Sequence, residues 1–102
     1  MKSVTYDAEA EEELAQSVDW YELHRANLGR EFHQEIKAIE ARIRDQPGSF
    51  KPTRTVAKLK IRRALVRRFP YALVFADLGT EIRILAVAHS RRKPGYWRDR
   101  LK

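Results

Sequence analysis

The chain has 102 residues, 43% of them apolar and none of them cysteine, so we expect one compact domain over residues 1–102 without disulfides or thiolate metal sites. Its three histidines lack the spacing of a metal site, and no cofactor is expected. No apolar run approaches the ~20 residues that a membrane-spanning helix needs, and the polar start does not resemble a signal peptide. These features are compatible with a cytoplasmic protein without a membrane partner.

The charge is divided unevenly between the two halves of the chain. Residues 1–50 hold 6 basic and 11 acidic residues, a net of −5, whereas residues 51–102 hold 15 and 3, a net of +12. A basic excess confined to one half favours an anionic partner, either nucleic acid or an acidic protein segment. Ordinary solubility charge on exposed strands is the alternative.

The first half of the chain predicts a strand followed by two amphipathic helices. Residues Lys2–Tyr6 are β-branched and aromatic, and Asp7 is a typical N-cap for a helix. Apolar residues then recur at helical spacing in two stretches, before and after a break at residues 24–29: Ala10, Leu14, Val18 and Tyr21, then Leu28, Phe32, Ile36, Ile39 and Ile43. The second helix ends at the breaker sequence of residues 45–48. The aromatic residues Trp20, Tyr21 and Phe32 are predicted to be core.

The second half predicts a three-stranded antiparallel meander. Residues Phe50–Val56 are interpreted as an irregular connector, because Pro52 discourages a helix. Three short apolar runs follow, separated by turn residues at 67–70 and 77–80: Ile61–Val66, Tyr71–Ala76 and Ile82–Ala88. In the last run strict alternation assigns Ile82, Ile84, Ala86 and Ala88 to one face, and the other face is largely apolar too. That pattern is typical of a central strand.

The helix hairpin must bury its apolar stripes against this meander, which predicts an α+β fold of order β-α-α-β-β-β with a mainly antiparallel sheet. The residues expected in the core are Leu14, Val18, Phe32, Ile36, Ile39, Tyr71, Val74, Ile84 and Ala86. The tail begins with a basic turn at residues 90–93 and is predicted to close with a short helical turn that Trp97 anchors.

Several short segments of the sequence resemble the RelE/ParE superfamily of bacterial type II toxins. They are Leu28-Gly29 with Phe32, Arg67-Arg68-Phe69-Pro70-Tyr71 with Val74-Phe75, and Ile84–His89 followed by Arg91-Arg92, Pro94, Trp97 and Arg100. The resemblance covers nearly the whole chain. It implies a cytoplasmic growth inhibitor that a cognate acidic antitoxin neutralises, with a homo-oligomer allowed through the toxin–antitoxin complex.

The superfamily includes two mechanisms, so the resemblance leaves open whether the chain is an enzyme. RelE-like members are ribosome-dependent mRNA endoribonucleases, whereas ParE-like members poison DNA gyrase by binding it. RelE-like members tend to carry an arginine two positions after the proline that corresponds to Pro70, and this chain has Ala72 there. That departure favours the ParE-like mechanism. A basic nucleic-acid-binding module without toxicity is a third hypothesis.

RNA cleavage would need a group that exchanges a proton and cations that offset phosphate charge. If the chain is a ribonuclease, the candidate catalytic residues are His89, Arg83, Arg91, Arg92 and Tyr96. Alternatively, His89 only caps its strand or bonds to the tail, and Tyr96 only packs.

The other candidate site residues are basic residues that could contact an antitoxin or target. They are Arg62, Arg63, Arg67, Arg68, Arg91, Arg92 and Lys93. The first four flank a hairpin, so at least one alternating pair must face outward. A solvated basic turn is the alternative for the last three.

Overall fold

The structure is a computed structural model that describes residues 2–101. Within that range the chain forms two α-helices and one five-stranded sheet. In chain order the elements are β1 (Ser3–Tyr6), α1 (Ala8–His24), α2 (Leu28–Asp45), a 3₁₀ turn at Pro47–Ser49, β2 (Pro52–Val56), β3 (Leu59–Leu65), β4 (Tyr71–Asp77), β5 (Glu81–His89) and a 3₁₀ turn at Arg98–Leu101. The predicted α+β fold is confirmed, with one strand more than predicted.

The sheet has the strand order β1-β5-β4-β3-β2. Strands β2 to β5 are antiparallel neighbours and include the predicted meander, while β1 pairs with β5 in parallel. Strand β5 therefore lies inside the sheet, as its two apolar faces indicated. The β4–β5 hairpin turns at Gly79, whose φ of 94° few other residues adopt.

The segment predicted as an irregular connector, Phe50–Val56, contains the additional strand, so that prediction was wrong. Pro52 begins β2 at the edge of the sheet, where a missing N–H need not break a ladder. The pairing of β2 with β3 is irregular between Pro52 and Arg54. A proline that argues against a helix therefore does not argue against an edge strand.

A β-bulge at Leu85 changes which residues of β5 share a face. Val74 of β4 lies opposite Ala86, whereas the next residue, Phe75, lies opposite Ile84, so Leu85 is the extra residue. Strict alternation assigned one face to four residues that the bulge divides between two: Ile82 and Ile84 toward the helices, Ala86 and Ala88 toward the opposite face. That part of the sequence-based assignment was wrong.

Apolar side chains are buried on both faces of the sheet. One layer lies between the sheet and the helices, and the other lies between the sheet and the tail, residues 90–101, where Trp97 is 5% exposed. Six of the predicted core residues are buried: Phe32, Ile36, Ile39, Val74, Ile84 and Ala86. The other three are partly buried and pack against the helix-side layer: Leu14, Val18 and Tyr71.

Trp20 is 54% exposed, so its assignment to the core was wrong, whereas Tyr21 and Phe32 are buried as predicted. The Trp20 ring stacks on the ring of His24, one helical turn later, with the centroids 3.7 Å apart. Tyr21 takes the core position because it continues the apolar stripe of α1.

A close approach at Gly29 fixes the helix hairpin. A Cβ atom there would lie 2.5 Å from the carbonyl oxygen of Val18 on α1, so only glycine fits without a shift. The Glu22 carboxylate accepts hydrogen bonds from the main-chain N–H groups of Asn27, at 2.9 Å, and Gly29, at 3.1 Å. These bonds satisfy donors at the start of α2 that no helical carbonyl can reach.

The tail is held by hydrogen bonds to Glu13 of α1. The Glu13 carboxylate accepts two bonds of 2.9 Å from the Arg100 guanidinium, one of 2.7 Å from the Tyr96 hydroxyl and one of 3.0 Å from the Val87 N–H. Burial alone would raise the pKa of Glu13, but these hydrogen bonds outweigh burial and hold the pKa below its usual value. We call Glu13, Val87, Tyr96 and Arg100 the Glu13 cluster.

Truncating the helix-side core should be costly. Ile36→Ala and Ile84→Ala should each lower the free energy of unfolding by about 2–5 kcal/mol, because both side chains are fully buried and would leave cavities. Urea denaturation measures the change. A loss below about 0.5 kcal/mol for both variants, the usual range of surface positions, would show that these residues are not core.

Replacing Glu13 by glutamine should destabilise the protein by about 1–3 kcal/mol at neutral pH, because buried donors lose a charged acceptor. Folding lowers the pKa of Glu13, so its contribution is complete above the unfolded-state pKa of about 4.3 and is lost as the pH falls through the folded-state pKa. The stability difference between wild type and Glu13→Gln should therefore shrink below about pH 4.

Urea denaturation across the pH range tests this expectation. The matched control is Glu12→Gln, which changes an exposed neighbour on the same helix and should cost less than about 0.5 kcal/mol. A Glu13→Gln deficit that is equally large in neutral and strongly acidic solution would contradict the assignment.

Candidate functional site

A groove lies on the face of the sheet that the helices leave free. Its floor is formed by Val74 of β4 and Ala88 of β5, one wall by β2 and β3, and the other wall by the tail. It has a volume of about 230 Å³. Its polar lining residues are Thr53, Arg54, Arg63, His89, Ser90, Arg92, Lys93 and Tyr96. None of the lining residues in the described range is acidic, and we call it the cationic groove.

Strand register places Arg63 at the wall of the groove. Arg63 of β3 lies opposite Val74 of the floor. Alternation puts its side chain on the same face as Ile61, which packs in the tail-side layer. Arg63 is exposed and forms no ion pair with any residue from 2 to 101. Its charge is therefore available to a ligand.

The tail turns sharply after β5 to form the opposite wall. The Ser90 N–H donates to the Pro70 carbonyl at 2.8 Å, and the Arg92 N–H donates to the His89 carbonyl at 3.0 Å. Gly95 has a φ of 78°, and a Cβ atom there would collide with the guanidinium of Arg54. Glycine at this position lets Arg54 approach the tail closely.

Two arginines of the groove stack on aromatic rings of the tail. The guanidinium carbon of Arg92 lies 4.0 Å from the Tyr96 ring centroid, and that of Arg54 lies 5.8 Å from the Trp97 ring centroid. A cation–π contact uses none of the guanidinium N–H groups as hydrogen-bond donors to an acid, so these groups can donate to an anion. Lys93, which is exposed, adds a fourth permanent positive charge.

His89 lies at the end of β5, where the groove meets α1. Its Nδ1 atom accepts a hydrogen bond of 3.1 Å from the main-chain N–H of Arg91, and its ring contacts that of Tyr71 edge-on at 5.0 Å. In the neutral ring the proton therefore sits on Nε2, because Nδ1 acts as the acceptor. This hydrogen bond agrees with the alternative that His89 only caps its strand or bonds to the tail.

Arg83 lies far from His89, although the two share a strand. They are six positions apart along β5, which corresponds to roughly 20 Å of extended chain. The Arg83 guanidinium donates to the Asp7 carboxylate at 2.6 and 3.2 Å and to the Arg100 carbonyl at 3.1 Å. The hydrogen bond to Asp7 raises the pKa of Arg83. Asp7 precedes α1 at the predicted N-cap position, but its side chain binds Arg83 and caps no helical N–H.

The Tyr96 hydroxyl points away from the groove into the Glu13 cluster. It donates to Glu13, and burial together with this bond raises the pKa of Tyr96 above its usual value. A proton held in this way is poorly suited to transfer. The structure thus brings His89, Arg92 and the Tyr96 ring together but leaves Arg83 elsewhere.

Four of the sequence-predicted basic residues do not line the cationic groove: Arg62, Arg67, Arg68 and Arg91. Arg62 points toward the helix-facing layer and donates to the Phe50 carbonyl. Arg68 pairs with Glu31 of α2 at 2.9 Å. The remaining two are exposed at the surface, Arg67 before β4 and Arg91 in the tail turn.

Sequence reasoning missed Arg54, because it assigned Phe50–Val56 to a connector. The alternation of Thr53 and Thr55 with Arg54 and Val56 is a strand signal that was present in the sequence. It also missed Glu13, whose only sequence feature is its place in an acidic run. No local pattern distinguishes the residue of that run that contacts the tail.

The described residues include no cluster of three or more histidine, aspartate or glutamate side chains that could hold a metal ion. Likewise, neither helix in residues 2–101 is long and apolar enough to cross a membrane.

Comparison with known proteins identifies the family. None of the curated proteins matches the chain significantly. Among solved structures, the chromosomal ParDE TA system from P. aeruginosa contains a similar chain, with a TM-score of 0.61 at 18% identity over 87% of this chain and 96% of that one. This likeness shows a shared fold. The family model described as the ParE toxin of the type II toxin–antitoxin system parDE matches residues 4–94. The chain therefore belongs to the ParE toxin family.

Proposed function

We propose that the chain is the toxin of a type II toxin–antitoxin module and inhibits growth by binding an essential target, in the manner of a gyrase poison. Membership of the ParE family supports the toxin role. A cognate acidic antitoxin, which the +12 half of the chain would attract, neutralises the toxin. Both partners are cytoplasmic in this proposal, and any homo-oligomer forms through the toxin–antitoxin complex.

The observation that carries the binding mechanism is that two of the candidate groups for RNA cleavage are engaged elsewhere. Arg83 is bound to Asp7, and the Tyr96 hydroxyl is bound to Glu13. Ala72, which replaces the arginine of RelE-like members, is fully buried and offers no cation. A transition state needs charge at defined positions, whereas binding needs only complementary charge at the surface.

The ribonuclease remains the second candidate because of one specific feature. His89 lines the cationic groove together with Arg92 and Lys93, so a proton-exchanging group lies beside cations. Its Nε2 atom has no hydrogen-bond partner within the part of the chain that the structure describes. The experiment below therefore centres on His89.

Two surfaces suit the antitoxin. One comprises the exposed basic residues of the hairpin and tail, of which Arg67 and Arg91 have no ion-pair partner among residues 2–101. The other is a hollow of about 450 Å³ along the helix hairpin, whose lining includes the apolar Leu14 and Val18 and the charged Glu11, Asp19 and Lys37. A segment that orders on binding could cover both, since its acidic and apolar residues would each find a match.

Induction in bacterial cells should raise an early DNA-damage response without new transcript 5′ ends. His89→Ala should keep the growth inhibition, because a toxin that acts by binding needs no proton transfer. In a ribonuclease the loss of a catalytic proton-transfer group would instead cost ~10²–10⁴-fold in rate. The control variant is His33→Ala, which changes an exposed histidine on α2. Codon-positioned mRNA cuts that vanish in His89→Ala but persist in His33→Ala, without early DNA damage, would identify a ribonuclease instead.

The antitoxin should be the small acidic protein encoded beside the toxin, and its on-rate should fall about tenfold or more from low to high salt. Arg67→Gln with Arg91→Gln should slow association, whereas Arg30→Gln, at an exposed position of α2, should change it less. Stopped-flow measurements give the rates. Failure of the two proteins to form a complex, or an on-rate independent of salt, would refute the proposed partner.

A further inference from the structure

We propose that β2 is a movable wall of the cationic groove, which opens by local unfolding of residues 51–60 while the rest of the sheet stays folded. Opening carries Arg54 away from the tail and uncovers Trp97. The closed strand therefore gives the groove its shape, and the open strand removes one of the four permanent charges. This motion goes beyond the proposed toxicity and does not depend on it.

Strand β2 has few contacts that hold it to the sheet. It lies at the edge, none of its five residues is buried, and its first residue, Pro52, has no N–H to donate. The register shifts between Pro52 and Arg54, so Thr53 is an extra residue in the ladder, and its hydroxyl donates to the Ile61 carbonyl at 3.3 Å. In β4, by contrast, five of seven residues are buried. Segments with few buried contacts open at a lower free energy than the whole domain needs to unfold.

The turn between β2 and β3 is strained. Its two residues, Ala57 and Lys58, have φ values of 52° and 67°, in the left-handed region. Two-residue hairpin turns of this kind favour Asn-Gly, because a Cβ atom in the left-handed region lies too close to the following carbonyl oxygen. Opening lets both residues return to negative φ, so the strain in the closed turn lowers the free energy that opening requires.

The segment is anchored on both sides, which confines the motion. Before β2, Phe50 packs against the helix-side layer, and its carbonyl accepts from the Arg62 guanidinium. After the turn, β3 pairs with β4 from Ile61 to Leu65. Residues 51–60 lie between these two anchors, so they can leave the sheet without breaking either one.

Apart from its pairing with β3, β2 is held closed by the tail. The Arg54 guanidinium carbon lies 5.8 Å from the Trp97 ring centroid, and Val56 packs against the tail-side layer. The lack of a Cβ atom at Gly95 lets Arg54 reach this position. Trp97 is 5% exposed in the closed arrangement. The position of β2 thus decides whether a ligand of the groove meets the Arg54 cation or the Trp97 ring.

The test is hydrogen exchange of the purified chain, followed by NMR under native conditions. Amides that bond β2 to β3 should exchange roughly 100-fold or more faster than those that bond β4 to β5, because they need only the local opening. Ile36→Val weakens the buried core, so it should speed exchange of the β4–β5 amides about two- to tenfold. The same substitution should leave the β2–β3 amides unchanged, because Ile36 lies outside the segment that opens.

Two further variants change the forces on β2 itself. Ala57→Asn with Lys58→Gly relaxes the turn and should slow exchange of the β2–β3 amides roughly tenfold. Its matched control, Lys58→Gln, removes the same charge but keeps a side chain at positive φ, so the rate should change less than about twofold. Arg54→Gln removes the contact with Trp97 and should speed exchange about two- to fivefold.

The proposal is supported if the β2–β3 amides exchange faster than the β4–β5 amides, respond to the turn variant and do not respond to Ile36→Val. It is overturned if Ile36→Val speeds both sets of amides equally, because β2 would then open only when the whole protein unfolds. It is also overturned if the turn variant slows exchange no more than Lys58→Gln does. Since the assay contains no partner protein, either result leaves the proposed toxicity intact.

Discussion

The structure depends on how the main-chain N–H and C=O groups along the unpaired edge of β5 are hydrogen-bonded. Strand β1 pairs only with residues 81–84, so the rest of β5 has a free edge on that side. Glu13 accepts from the Val87 N–H and Arg100 donates to the Leu85 carbonyl, which satisfies main-chain groups that would otherwise be buried without partners. The same two side chains bind each other, so one partly buried ion pair completes the sheet and holds the tail. Because the tail forms one wall of the cationic groove, the shape of the groove depends on a contact made by α1.

The pairing of acids with arginines explains which charges remain for partners. The acidic first half supplies Asp7, Glu13 and Glu31, which bind arginines of the second half. These pairs connect elements distant in sequence, so the opposite charges of the halves serve folding first. The net of +12 in residues 51–102 therefore overstates the charge that a ligand meets. Four basic side chains that form no ion pair within residues 2–101 line the cationic groove, so their position rather than the total charge distinguishes them: Arg54, Arg63, Arg92 and Lys93.

Much of the fold could be predicted from the sequence because its elements have strong local patterns. The stripe from Phe32 to Ile43 and the apolar runs of β3 to β5 carry their own periodicity, and the breaker at residues 45–48 ends α2 where predicted. The errors arose where tertiary context decides. An edge position makes Pro52 acceptable in a strand, and a bulge at Leu85 shifts the alternation. The site was harder to predict than the fold. Arg54 lines the groove whereas Arg83 pairs with Asp7, and only the tertiary structure decides which side chains lie beside each arginine.

A cationic groove with a histidine at its end need not be catalytic, and the geometry explains why. Cations in the groove would stabilise a bound phosphate and a transition state alike, so they would increase affinity without accelerating cleavage. Acceleration needs a donor or base whose proton is free to move and a cation placed for the charge that develops. Here the Tyr96 hydroxyl is bound to Glu13, and Arg83 is held by Asp7 at the far end of the strand, so only His89, Arg92 and Lys93 of the candidate groups remain together. In the proposed mechanism this surface supplies the charge that binding requires, which is the physical ground for favouring a toxin that acts by occupying its target.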